Sequence, residues 1–186
     1  MNKKKICFIL LNWLFMASAF AQTPNILSKG KADSQECKDW VESRLEKMTL
    51  KEKIGQLFIH TVPLHDTEVN RKNIRNAVKE FKVGGFLFDN GQLVNQVNLT
   101  NYAQEMAEIP LLITFDGEWG LNMRLKEIPA FPRNRVLGCI QDNNLLYEYG
   151  KEVARQFREI GVHVNFAPVA DVDNNPLNPV INTRSF

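Results

Sequence analysis

"PLLITFDGEWGLNMRL", residues 110–125, decides what kind of fold this chain can make. The apolar run from Pro110 to Phe115 stops at Asp116, and Gly117, Glu118, Trp119 and Gly120 follow before Leu121 and Arg124. A buried carboxylate is costly unless it is paired or hydrogen-bonded. A strand that ends in one has therefore turned out to solvent or reached a site. Pro110 stands at the strand's start, where a missing N–H is tolerated.

Working outward, "VGGFLF" (83–88) reads as a second short strand, bounded by its glycines and by Asp89-Asn90-Gly91. Ile74, Ala77, Val78 and Phe81 mark a helical stripe before it; Leu93, Val97, Ala103 and Met106 mark a weaker helix after it. Downstream, Leu146, Tyr149, Val153, Phe157 and Ile160 keep a helical spacing that Gly161 ends. "VHVNFAPVADV" then opens as another strand. Upstream, Ser34 caps a helix with apolar positions Val41, Leu45 and Met48. Thr49 and Glu52 have capping-box spacing, and their short helix runs through Ile54 into the apolar Leu57-Phe58-Ile59.

Strands separated by helices of this length predict parallel βαβ units rather than hairpins. A nucleotide-type open sheet would carry a glycine-rich phosphate turn after its first strand. Here "VGGF" precedes its strand, and "DGEWG" places two acids where a phosphate wants bare N–H donors. Polar residues gather instead at expected strand ends: His60, Asp89, Asp116 and Asp171. In a barrel, function sits at the carboxyl ends of the strands. The expected fold class is α/β, a partial (β/α)8 TIM barrel amounting to roughly the first half.

The amino terminus reads as a leader. Lys3, Lys4 and Lys5 precede the mostly apolar Ile6–Phe15, and Ala19 and Ala21 supply small residues before a cut at Gln22. That is the layout of a secretory signal peptide, too short for an ordinary spanning helix. Expected boundaries are 1–21 signal peptide, 22–35 linker and 36–186 barrel. The protein is expected to be exported, periplasmic or secreted, with no stable membrane span after cleavage. Losing the three leader lysines takes the formal charge from +2 to −1. No basic patch interleaved with aromatics points to nucleic acid. Cys37 and Cys139 are widely separated and read as unpaired thiols, and without CxxC or HxxxH no metal and no cofactor is expected. "NTRSF" ends the chain with no closing helix or strand, which suggests a truncated gene or fragment.

Asp116 and Glu118, two apart, point to one side of an extended chain. They read as a catalytic carboxylate pair, as a ligand-binding acceptor with a loop-shaping neighbour, or as solvated turn acids. The second reading is preferred, because carboxylates that straddle a scissile bond usually come from different strands. Arg124 offers planar donors suited to sugar hydroxyls or to a carboxylate. Trp119 offers a face to a pyranose ring, or plugs the loop. Asp171 binds substrate or, by preference, braces loop N–H groups. His163 reads as a hydrogen-bonded core histidine, and His60 and His65 as loop residues without partners.

Taken in order, "MTLKEKIGQLF", "VGGFLF", "PLLITFDGEWGLNMRL", "FPRNRVLG", "YGKEVARQFREIGVHVNFAPVADV" and "NPVINTRSF" resemble the amino-terminal catalytic domain of glycoside hydrolase family 3. The bacterial β-N-acetylhexosaminidase branch is the nearest in pattern, over about Cys37 to Phe186. The resemblance implies a (β/α)8 barrel and places the family's sugar-binding residues on Asp116, Arg124 and Arg184, with Glu118, Trp119 and Asp171 as possible site-shaping residues. It departs at Trp119, where the family usually has a small residue. The family's Lys-His motif, acid/base loop and aspartate nucleophile all lie beyond "RSF", so the resemblance implies no catalytic residue in this chain. It implies a retaining hydrolase of terminal β-linked N-acetylhexosamine, seen as an inactive piece, with carbohydrate as its partner. A β-glucosidase of the same family and a non-catalytic carbohydrate-binding barrel are the alternatives.

Overall fold

A computed structural model describes residues 34–175 and 177–186; the expected signal peptide, and the linker through residue 33, lie outside the described residues. Helix α1 (Gln35–Lys47) starts at Ser34, whose hydroxyl accepts the Cys37 N–H at 3.2 Å. Helix α2 (Leu50–Gly55) starts in a full capping box: Thr49 Oγ1 accepts the Glu52 N–H at 3.3 Å, and Glu52 Oε2 accepts the Thr49 N–H at 2.8 Å. Three βα alternations and a fourth strand follow. They are β1 (Ile59–Leu64), α3 (Glu68–Lys79), β2 (Gly85–Gly91), α4 (Leu93–Met106), β3 (Leu112–Phe115), the short α5 (Asn134–Leu137), α6 (Asn143–Glu159) and β4 (Val164–Asn165). Single 3₁₀ turns stand at Leu121–Met123 and Asn182–Arg184.

The strands pair in parallel in the order β1-β2-β3-β4. A doubly wound sheet reverses its strand order at a switch point; this one does not, so it is an arc of a barrel wall. Register places Val62 beside Phe88, and His60, Phe86 and Ile113 in one row. Alternation along a strand then puts Val62, Leu64, Phe86, Phe88, Ile113 and Phe115 on the helix-covered face, where all six are buried. Ile74 and Val78 of α3, Leu99 and Ala103 of α4, and Val153 and Phe157 of α6 cover them. The Phe115 and Phe157 rings meet edge to face with centroids 5.2 Å apart. Truncating a ring at such a position costs about 3–5 kcal/mol.

Among the described residues the opposite face has no helix layer over it and is partly open, although Thr114 is buried on it. Ile59 and Leu112 flank Gly85 there and are 37% and 36% exposed. A complete barrel covers that face with its remaining strands.

Several expectations need correction. His60 is the second residue of β1 rather than a loop residue at a strand's carboxyl end, and its ring lies edge-on to Phe86 at 6.0 Å. Pairing with β2 keeps the chain extended as far as Leu64. β2 starts at Gly85 because Gly84 N–H is drawn to the Gly55 and Phe58 carbonyls, and it continues through Asp89 and Asn90 to Gly91, whose N–H donates to Arg124 O at 3.1 Å. Phe81 falls beyond α3 and is 60% exposed. The α1 helix forms as expected, yet none of its residues is buried, and Trp40, Val41 and Leu45 face outward.

Candidate functional site

The β3 strand delivers Asp116 to the carboxyl edge of the sheet, and the turn after it is held on every side. The Asn165 amide at the end of β4 grips Gly117 on both sides: Gly117 N–H donates to Asn165 Oδ1 at 3.0 Å, and Asn165 Nδ2 donates to Gly117 O at 3.2 Å. Tyr149 of α6 donates its hydroxyl to Glu118 O at 3.4 Å, and Glu118 N–H reaches Met123 Sδ at 3.4 Å. Gly120 closes the turn at φ 80°, a left-handed conformation, and a Cβ there would lie 2.8 Å from the Phe131 ring.

Two arginines from different parts of the chain meet the two acids of this turn. Arg124, just past the 3₁₀ turn at Leu121–Met123, donates Nη2 to Asp116 Oδ2 and Nη1 to Asn90 Oδ1 at 3.3 Å; Asp89 Oδ1 is 4.0 Å away. Arg184, in the last 3₁₀ turn, grips Glu118 with Nη2 at 2.5 Å from Oε1, and Nε at 3.1 and 3.0 Å from the two oxygens. The Glu118 side chain is only 4% exposed, against 30% for Arg184. Charge-assisted two-point contacts of this kind are among the stronger hydrogen bonds in proteins. They raise the Arg184 pKa above the usual guanidinium value, with smaller contributions from the charges of Asp116 and Asp171.

Asp116, Arg124 and Arg184 are therefore brought together around one turn. Among the described residues Asp116 Oδ1 has no hydrogen-bond partner, and the side chain is 31% exposed. The turn can accept one hydroxyl hydrogen and offer guanidinium donors to neighbouring oxygens. It does not form an acid–base pair: Glu118 is enclosed and held two-point by Arg184, and Asp116 is engaged by Arg124.

Trp119 lies beneath Arg133, whose guanidinium carbon is 4.4 Å from the ring centroid and whose Nη1 donates to Thr183 Oγ1 at 3.1 Å. One indole face is thus covered. Asp171 is exposed and, among the described residues, accepts no hydrogen bond, so the bracing role expected of it is absent; its charge instead acts on Arg184. His163 is the core histidine the sequence suggests. Its Nδ1 accepts Ile113 N–H at 3.0 Å where the short β4 strand supplies no carbonyl, and burial lowers its pKa. Among the described residues no group of three His, Cys, Asp or Glu side chains is placed to hold a metal. Cys37 and Cys139 are free.

A cavity of about 540 Å³ lies behind the turn, lined by Gly117, Glu118, Tyr149, Phe157 and His163 but not by Asp116, Arg124 or Arg184. It is the apolar flank of α6, separate from the polar edge that carries the site. Sequence reasoning missed Asn165, Tyr149 and Arg133 as supports of the turn. The available signals were the phase of Asn165 with His163 and the position of Arg133 within "FPRNRVLG".

The family model described as glycosyl hydrolase family 3 N terminal domain matches residues 49–186. The chain is 28% identical over 147 residues to a "Beta-N-acetylglucosaminidase/beta-glucosidase" from Cellulomonas fimi, covering 79% of this chain and 25% of the relative. It is 32% identical over 126 residues to "Beta-hexosaminidase A" of Pseudoalteromonas piscicida, covering 61% and 21%. A "Beta-hexosaminidase" of Nitrosospira multiformis is 31% identical over 143 residues, covering 72% and 40%. The chain thus spans well under half the length of the curated relatives it matches. In structure it resembles "Beta-glucoside phosphorylase BglX bound to 2FGlc", with a TM-score of 0.73 over 88% of this chain and 29% of that one. At 23% identity this likeness shows the fold alone.

Proposed function

Because the chain belongs to glycosyl hydrolase family 3 through its N terminal domain, we propose that residues 36–186 are the amino-terminal part of the catalytic barrel of an exported glycosidase. The reaction is hydrolysis of terminal β-linked N-acetylhexosamine. In the retaining route, a carboxylate attacks the anomeric carbon as the departing alcohol oxygen is protonated. Water then releases the sugar with the acid residue acting as base. In this reading Asp116 and Glu118, engaged by Arg124 and Arg184, are not those two carboxylates.

Within this reading Asp116, Arg124 and Arg184 hold the hydroxyls of the terminal sugar. Trp119, Glu118 and Asp171 shape the site around it. The observation that carries the assignment is Asp116 Oδ1 at the carboxyl end of a barrel strand, without a hydrogen-bond partner among the described residues, beside Arg124 and within the field of Arg184. The names of the relatives support the N-acetylhexosamine preference, and the Cellulomonas protein's double name keeps β-glucoside as the second reading. The basic, apolar and small-residue sequence of positions 1–21 supports export to the periplasm or beyond.

The test is a full-length protein assayed on chromogenic N-acetylglucosaminide and glucoside. Turnover of the first at higher kcat/KM is expected. Asp116→Ala should raise KM and lower kcat/KM by on the order of 100-fold or more, with little loss of stability, because a buried hydroxyl loses its acceptor and Arg124 its anchor. No turnover on either substrate overturns the enzymatic reading, and unchanged kinetics in Asp116→Ala overturns the site.

A further inference from the structure

We infer that Glu118 is a positioning residue: it touches no sugar, and it fixes the Arg184 guanidinium before a sugar arrives. This deepens the proposed function and rests on it. The two residues are 66 positions apart and reach each other only through the fold. Glu118 is the rigid partner. Its side chain is 4% exposed, its backbone N–H and carbonyl are engaged by Met123 and Tyr149, and the preceding peptide is gripped by Asn165. Arg184 is the longer side chain, on a single 3₁₀ turn with Val180 and Phe186 exposed on either side. Its main chain is tied by the Ile181 carbonyl at 2.7 Å and by Asn134 Nδ2 at 2.6 Å, which leave the guanidinium itself unplaced.

Three contacts place the guanidinium. Glu118 takes Nε and one hydrogen of Nη2, and Val180 O takes one hydrogen of Nη1 at 3.3 Å. One hydrogen on each terminal nitrogen is left for a ligand. A planar fork held along one edge can present its other edge in only one orientation, whereas a lysine ammonium would swing. The rotamer freedom of Arg184 is already lost in the free protein, so sugar binding need not lose it again.

The experiment compares Glu118→Gln, Arg184→Lys and the double variant with wild type in the full-length protein. Gln keeps the shape of Glu118 but turns one of its oxygens into a donor facing other donors. Lys keeps the charge of Arg184 without the fork. Each single variant should raise KM on the order of 10- to 100-fold while kcat changes much less, and the double variant should be no worse than Arg184→Lys alone. Additive losses overturn the inference. So does a Glu118→Gln protein that is less stable yet has wild-type KM in its folded fraction, because that is the mark of a merely structural contact. Exchange of the Arg184 Nε hydrogen, followed by NMR, reads the same contact without turnover. Faster exchange in Glu118→Gln is expected, and unchanged exchange overturns the inference. Should wild type turn over neither chromogenic substrate, the glycosidase reading fails by itself and the exchange measurement still decides the role of Glu118.

Discussion

Asn165→Ala in the full-length protein isolates the clamp that places Asp116. The substitution removes two hydrogen bonds to Gly117, and the two losses are unequal. Gly117 is buried, and its N–H has Asn165 Oδ1, at 3.0 Å, as its acceptor. Leaving a buried donor unsatisfied costs about 1–3 kcal/mol. The Gly117 carbonyl keeps the Gly120 N–H at 3.0 Å, so losing Asn165 Nδ2 adds only about 0.5–1.5 kcal/mol. The sum, about 1.5–4.5 kcal/mol, lowers Tm by about 3–18 °C at roughly 2–4 °C per kcal/mol, the range for domains of about 150–250 residues. Asp116 is the preceding residue, so the loosened turn should also lower kcat/KM; a displacement of about 1 Å at a reacting group can remove on the order of 100-fold in rate. Differential scanning fluorimetry and steady-state kinetics read both. A fall in Tm below about 2 °C with unchanged kcat/KM would show that the turn holds Asp116 without Asn165 and would refute the clamp.

Residues 22–186 expressed alone should aggregate or bind a hydrophobic dye, because Ile59, Leu112 and the α1 stripe are uncovered; a sharp cooperative melt would refute this. Burial depresses the pKa of His163, so the unfolded chain takes up a proton that the folded one refuses as pH falls through about 6.5. Stability from this group is therefore present above that pH and lost below it. His163→Asn keeps an acceptor for Ile113 N–H and cannot titrate, so its Tm should fall less than that of wild type between about pH 6.5 and 5; parallel curves would contradict the assignment.

Local chemistry made much of the fold readable. Thr49 and Glu52 announce α2 by a reciprocal bond that spans three residues. The spacing of Val153 and Phe157 finds the buried face of α6, and Gly161, at φ 76°, stands just past its end. The apolar run before Asp116 finds β3 within two residues of its start. Periodicity was less informative where two readings share a pattern. The α1 stripe looks like a core face, yet its cover is missing among the described residues, and Thr61-Val62-Pro63-Leu64 carries too weak an alternation to reveal that β1 continues past His60.

By itself, the sequence determined an α/β chain of helices alternating with short strands, with Asp116 released at a strand end, because spacing along a helix or strand is set by neighbours a few residues away. The resemblance added which arginines to watch. Only the tertiary structure decided that Glu118 is enclosed by Arg184, that Asn165 grips Gly117, and that Arg133 covers Trp119. Those contacts join residues 66, 48 and 14 positions apart. They exist because parallel strands carry distant segments to one edge of the sheet, and no local pattern records which side chains meet there.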